Sequence, residues 1–161
     1  PDAVFIAAIP SEAGLTVRQI REAGIEMDII SGDGFDTELV ASVPGPELAN
    51  NVYFSTHTYL ADDRPEVQEF IDAYTEKFGH APENSFAPLG YDAIGLIANA
   101  IERAGSDDPI AIRDALAETR DYPAVTGTIS YTRENMVPPK PVSIVSVQSA
   151  KFAVEEIWRP E

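Results

Sequence analysis

The sequence contains no cysteine, which excludes disulfide bridges, thiolate nucleophiles and cysteine-held zinc and leaves either redox compartment open. It is also poor in positive charge, with 11 Lys and Arg against 27 Asp and Glu and a formal net charge of −16. A surface of that sign repels polyphosphates, so a nucleic-acid partner is not expected. Only two histidines occur, His57 and His80, and neither has a neighbour at a metal-ligand spacing. No apolar run approaches the ~20 residues that cross a bilayer. Nucleophile elbow and phosphate loop are missing, and Gly32-Asp33-Gly34 lacks the third glycine of a dinucleotide fingerprint. The expectation is a water-soluble protein that is not an enzyme and uses no cofactor or metal. The sequence opens at Pro1 without an initiator methionine or leader and reads as a processed product or a fragment.

What is present suits a globular α/β protein. The 161 residues, 44% of them hydrophobic, are enough to build one sizeable core, since a chain of this length buries roughly 70% of its unfolded surface. Ala3 to Ala8 is a continuous apolar run of strand length, and Ile9-Pro10-Ser11 ends it. Ser11 is a suitable N-cap for a helix carrying Leu15, Val17, Ile20 and Ala23 at helical spacing, and Gly24 closes it. Met27 to Ile30 predicts a second strand followed by a helix from Asp36 to Val43, and Asn51 to Thr56 predicts a third strand. Strands alternating with helices imply a parallel sheet with flanking helices.

Further helices are expected from Pro65 to Phe78, closed by Gly79, and from about Ala87 to Ala104, closed by Gly105. The second is the most apolar of the chain and is expected to be buried on more than one side. Asp108-Pro109 supplies an N-cap and first-turn proline for another from Ile110 to Glu118. The last forty residues change character: Ala124 to Ser130, Val142 to Val147 and Phe152 to Trp158 are rich in strand formers, and Ser149-Ala150-Lys151 joins the last two as a hairpin. Pro138-Pro139-Lys140-Pro141 is too dense in proline for anything but an extended linker or hinge.

The stretch Ile29 to Thr37 is the most informative. Strand, tight turn and helix start succeed one another within nine residues, which makes a corner able to face a ligand. Two glycines let the backbone approach a guest and take positive φ, Asp33 presents a carboxylate, and the helix start offers N–H groups. Gly-Asp-Gly is equally ordinary turn chemistry.

Taken together, Gly32-Asp33-Gly34-Phe35 after a strand, Asn51-Val52-Tyr53-Phe54-Ser55-Thr56-His57, and the Pro65, Val67, Phe70, Tyr74, Phe78-Gly79 pattern form an ordered set. Ala87 with Gly90-Tyr91-Asp92-Ala93, Ala98, Ala100-Ile101, Ala104-Gly105, and Gly127 to Tyr131 continue it. In order and spacing this set resembles the second half of the substrate-binding proteins of branched-chain amino acid ABC transporters, in the type I periplasmic binding fold. The resemblance implies two α/β lobes joined by crossing segments, with residues 1–80 in the second lobe, 81–143 in the first lobe, and 144–161 forming a crossing strand and terminal hairpin. This makes the chain an incomplete two-lobe fragment.

The resemblance further implies an extracytoplasmic component, periplasmic or secreted, that captures an amino acid or similar small polar ligand by lobe closure and delivers it to the permease membrane subunits. A ligand-sensing regulatory domain of the same fold is the alternative, followed by an α/β enzyme fragment. Ligand contacts carry over to Ala8, Ile9 and Pro10 and to Asp33, Gly34 and Phe35, with Asp33 placed to pair with a ligand ammonium. His57 and Tyr91 are further candidates. Ala8-Ile9 stand where leucine-binding members commonly have an aromatic residue. Without the first lobe's strands, the helices after residue 86 lack their usual cover, so the expectation is either self-association of the chain or that it is part of a longer one.

Overall fold

Strand β1 (Ala3–Ile6) and helix α1 (Pro10–Glu22) open the chain, which the computed structural model describes at residues 1–132, 134 and 136–160. The helix starts one residue before the expected cap. Pro10 occupies the first turn, where its fixed φ suits a helix and its missing N–H leaves nothing unpaired. Strand β2 (Asp28–Ser31), helices α2 (Leu39–Ser42) and α3 (Gly45–Leu48) and strand β3 (Val52–Thr56) follow. The single helix expected over 36–43 is instead a 3-10 turn (Asp33–Phe35) and two short helices. The Thr37 hydroxyl accepts from the Leu39 N–H at 3.3 Å and delays the helix start, and Pro44 beside a left-handed Gly45 divides α2 from α3.

These elements, with β4 (Val142–Gln148) and β5 (Lys151–Trp158), build one compact unit from Pro1–Tyr59 and Val142–Trp158. Its five strands lie in chain order. Strands β1, β2 and β3 are parallel, as the strand–helix alternation implies, but β4 and β5 pair antiparallel, which makes the sheet mixed. Val4, Ile29, Val52 and Val147 stand side by side in register across four strands. Their face packs on Ala13 and Val17 of α1 and on Phe35, Val40 and Ala41, forming the main core. A Cβ on Gly14 would stand 2.1 Å from the Leu39 carbonyl oxygen, so glycine is what allows α1 to lie so close to α2. Ser149 and Ala150, both at positive φ, form the β4–β5 hairpin turn.

Arg21 closes the far end of α1. Its guanidinium donates to the carbonyls of Ile25 (2.8 Å), Met27 (3.0 Å), Asn50 (2.6 Å) and Asn51 (3.3 Å), tying the loops that lead into β2 and β3 to one side chain. Burial lowers its pKa, opposed by Asp28 and Glu26.

The second unit, Leu60–Pro141, is helical. Its members are α4 (Pro65–Phe78), α5 (Phe86–Ala104) and α6 (Pro109–Ala117). Gly79 and Gly105 end α4 and α5 in the left-handed conformation, and Asp108 caps α6 by accepting from the N–H groups of Ile110 (2.9 Å) and Ala111 (3.1 Å). Within this unit the α4 aromatic stripe meets the next helix: Phe70 stacks on Tyr91 at 5.4 Å. Helix α5 buries only one stripe, including Leu96 and Ala100, while Ile94 stays 69% exposed, so the expectation of burial on several sides is not met.

The strand expected over 124–130 is a turn with a single bridge, Tyr122 to Ile129. The N–H groups of Val125 and Thr126 are taken by Asp92 of α5 and are not available to a ladder.

Candidate ligand-binding site

The carboxyl ends of β1 and β2 and the start of α1 enclose a concavity of about 490 Å³ in the first unit, lined by Phe5, Ala8, Ile9, Glu12, Ser31, Asp33 and Gly34 among others. Ligands of open α/β sheets sit at this end, because the loops after parallel strands converge there and the helix N-termini point toward it. The predicted residues Ala8, Ile9, Asp33 and Gly34 therefore come together, although 24 residues separate the first from the third by numbering alone.

The approach of the two loops depends on Gly34. A Cβ there would lie 1.8 Å from the Ala8 carbonyl oxygen, so no larger residue fits without backbone movement. Neither Gly32 nor Gly34 takes positive φ, contrary to expectation; Gly32 sits at φ −90° in open space. The value of this glycine pair lies in the close approach at Gly34.

Asp33 opens the 3-10 turn, with its carboxylate about half exposed and His57 Nε2 at 3.2 Å from Oδ2. His57 directly follows β3, and its position against the turn is held by the preceding residue: Thr56 Oγ1 donates to Asp36 Oδ2 at 2.8 Å. Nearby, Tyr59 has its phenol pKa raised by burial, with Glu38 and Asp36 adding to the effect. The corner is thus acidic and has no lysine or arginine among its described lining residues.

Three candidates fall elsewhere. The Phe35 side chain is fully buried in the main core and does not line the concavity, because the turn directs it inward against α1 and α2. Pro10 serves as the first-turn residue of α1 and is absent from the lining. Tyr91 belongs to the second unit, where it is 65% exposed and stacks on Phe70. It borders a wider groove of about 680 Å³ with Phe70, Tyr74, Phe78, Glu66 and Glu69. That groove is the seam of α4 against α5: its rings pack on one another at 4.5 to 5.8 Å.

Sequence reasoning missed Phe5, Glu12 and Ser31 as wall residues. Ser31 could have been found as the strand residue just ahead of the turn; its buried hydroxyl donates to the Ile6 carbonyl at 2.8 Å and joins the ends of β1 and β2. Phe5 read only as part of an apolar run.

Residues 1–151 match the family described as periplasmic binding protein. The Leu/Ile/Val-binding protein homolog 1 of Brucella suis is 31% identical over 130 residues, covering 80% of this chain and 33% of the relative. A leucine-, isoleucine-, valine-, threonine- and alanine-binding protein of Pseudomonas aeruginosa is 28% identical over 129 residues, covering 80% of this chain and 33% of its own. Among solved structures, a leucine binding protein from Thermotoga maritima superposes with a TM-score of 0.84 at 32% identity, covering 99% of this chain and 45% of the other. A branched-chain amino acid transporter substrate binding protein from Streptococcus pneumoniae, in complex with isoleucine, gives 0.81 at 32% identity with coverage of 99% and 45%. The chain spans about a third of the length of the curated relatives it matches.

Proposed function

The chain belongs to the periplasmic binding protein family, and from that membership we propose that it is part of an extracytoplasmic solute-binding protein that captures an amino acid for an ABC permease. The ligand class we infer is the aliphatic amino acids, since leucine, isoleucine and valine are named for both its Brucella and Pseudomonas relatives, the latter's name adding threonine and alanine. The observation that carries this reading is Asp33: a half-exposed carboxylate at the mouth of a concavity whose neighbouring walls, Phe5, Ala8 and Ile9, are apolar. An ammonium paired with Asp33 would direct an aliphatic side chain or backbone along those walls.

Capture proceeds in this reading by closure of a second lobe over the concavity. Closure excludes water, so the Asp33–ammonium pair and the apolar contacts strengthen together, and the closed form is the one the permease engages. No bond is made or broken.

Calorimetry on the full-length protein with leucine, isoleucine and valine tests the proposal. Asp33→Asn should weaken binding by about 2 to 5 kcal/mol, as expected when one partner of a desolvated charge pair is removed. Unchanged affinity in the variant would remove Asp33 from the site, and absence of binding to all three amino acids would overturn the ligand class.

A further inference from the structure

The one side-chain partner that Asp33 has among the described residues is His57, with Nε2 3.2 Å from Oδ2. The contact is built in on both sides. Thr56 is bonded to Asp36, which fixes the end of β3 against the turn, and Gly34 is pressed against the Ala8 carbonyl, which fixes the turn against the end of β1. His57 therefore stands beside the carboxylate that the proposed site uses, and a histidine changes charge between about pH 5 and 8.

We propose that His57 is an internal competitor for Asp33, making capture of an ammonium-bearing ligand weaker in acid and stronger at neutral to alkaline pH. This rests on the reading of Asp33 as the ammonium partner. In the protonated state, imidazolium and carboxylate neutralise one another, and an arriving ammonium meets a pair of no net charge. In the neutral state the imidazole leaves the carboxylate its full charge.

Among the described residues, the other charged side chains named around the contact are carboxylates. Asp36 lies just beyond the 3-10 turn and is held by Thr56, and Glu12 of α1 lines the same concavity. None supplies a rival cation. The acidic surroundings attract imidazolium and ligand ammonium alike, so the competition is between two cations for one carboxylate.

Both side chains are nearly half exposed, 44% for His57 and 48% for Asp33, so solvent screening keeps the effect modest. Calorimetry on the full-length protein should show leucine affinity falling about fivefold from about pH 8 to pH 5. In His57→Gln the ratio of the two affinities should approach one. The 2-oxo acid with the carbon skeleton of leucine, which has no ammonium, should show no such fall in the wild-type protein. A flat wild-type profile for leucine, or an equal fall in His57→Gln, would overturn the proposal.

A second measurement does not depend on the ligand. In nitrogen-15 NMR of the ligand-free full-length protein, the His57 Nε2 resonance should move in Asp33→Asn, because Nε2 stands 3.2 Å from Oδ2. An unmoved resonance overturns the competition even if leucine binds. Failure of leucine to bind at any pH, with a moved resonance, would instead overturn the ligand reading and leave the His57–Asp33 contact standing.

Discussion

Asp92 holds Thr126 twice: one carboxylate oxygen accepts from the Thr126 N–H at 2.9 Å and from its hydroxyl at 2.7 Å, while the other takes the Val125 N–H at 2.8 Å. Lys140 reaches the same hydroxyl with its ammonium, and Arg64 donates to the Val125 carbonyl at 3.3 Å. A buried carboxylate is stable only when its lone pairs are met, and here the turn at 125–126 meets them. The second unit is small in apolar core, with Leu96, Ala124 and Ile129 as its buried cluster, so this polar clamp fixes the turn where apolar packing is thin.

Removing the carboxylate should therefore cost more than an average core substitution. Asp92→Ala leaves two backbone N–H groups without acceptors and an ammonium without its counter-charge. The expected loss is about 3 to 5 kcal/mol in urea denaturation. Asp92→Asn should recover only part of this, because its Oδ1 still accepts while its Nδ2 presents a donor to a group that is itself a donor, and the negative charge is gone. A loss below about 1 kcal/mol in the alanine variant would mean that water replaces the clamp at no cost.

Gly34 and Gly32 make a paired test of the loop approach at the proposed site. Gly34→Ala puts a methyl into the Ala8 carbonyl, and with backbone on both sides neither can yield like a flexible side chain. A destabilisation of about 2 to 3 kcal/mol is expected. Gly32→Ala meets open space at an ordinary φ and should change stability by less than about 1 kcal/mol. Equal effects at the two positions, read from denaturation midpoints, would contradict the close approach.

Local order was legible wherever a residue's own chemistry decided the outcome. Proline in the first turn, glycine past the last, and Asp108 at its cap marked the ends of α4, α5 and α6, and the apolar runs marked every strand of the sheet. Legibility stopped where a distant partner decided. Nothing near Val125 announces that Asp92, more than thirty residues earlier, will take its N–H, so a β-prone stretch reads as a strand and folds as a turn. Phe35 has a binding-loop neighbourhood, but its ring is drawn into the core by Val40 and Ala13. At the candidate site the Gly32-Asp33-Gly34 corner was visible, whereas Phe5 and Glu12 enter only through the packing of β1 and α1 beside it.

Lys140 gives the clamp a pH dependence of definite sign. Burial lowers its pKa, opposed by Asp92 and assisted by Arg64. The folded protein thus binds this proton less tightly than the unfolded chain. In the window between the lowered value and the ordinary lysine value the unfolded state holds more protons, so stability from this group rises with pH there. The stability difference between wild type and Lys140→Met, from urea midpoints at about pH 8 and pH 10, should shift in favour of wild type at the higher pH. A constant difference would mean that Lys140 titrates alike in both states.

The apolar surface of the isolated chain sets the last expectation. On the sheet face away from α1, Phe5 is 68% and Ile30 42% exposed; along the helices, Ile94 is 69%, Ile97 44%, Ile101 39% and Ile110 61% exposed. Fully burying such a side chain is worth about 1.5 to 3 kcal/mol, against the 5 to 15 kcal/mol that holds a typical domain together. The relatives, of whose length the match covers only 33%, have additional chain that can cover these faces. The 161-residue chain alone has only other copies of itself. Light scattering at micromolar concentration should show dimers or larger species, and Ile94→Glu with Ile97→Glu, which place charge on the α5 stripe, should shift the population toward monomer. A wild-type monomer that leaves an apolar-surface dye dark would show that these side chains are covered within one chain, and the two glutamates would then change nothing.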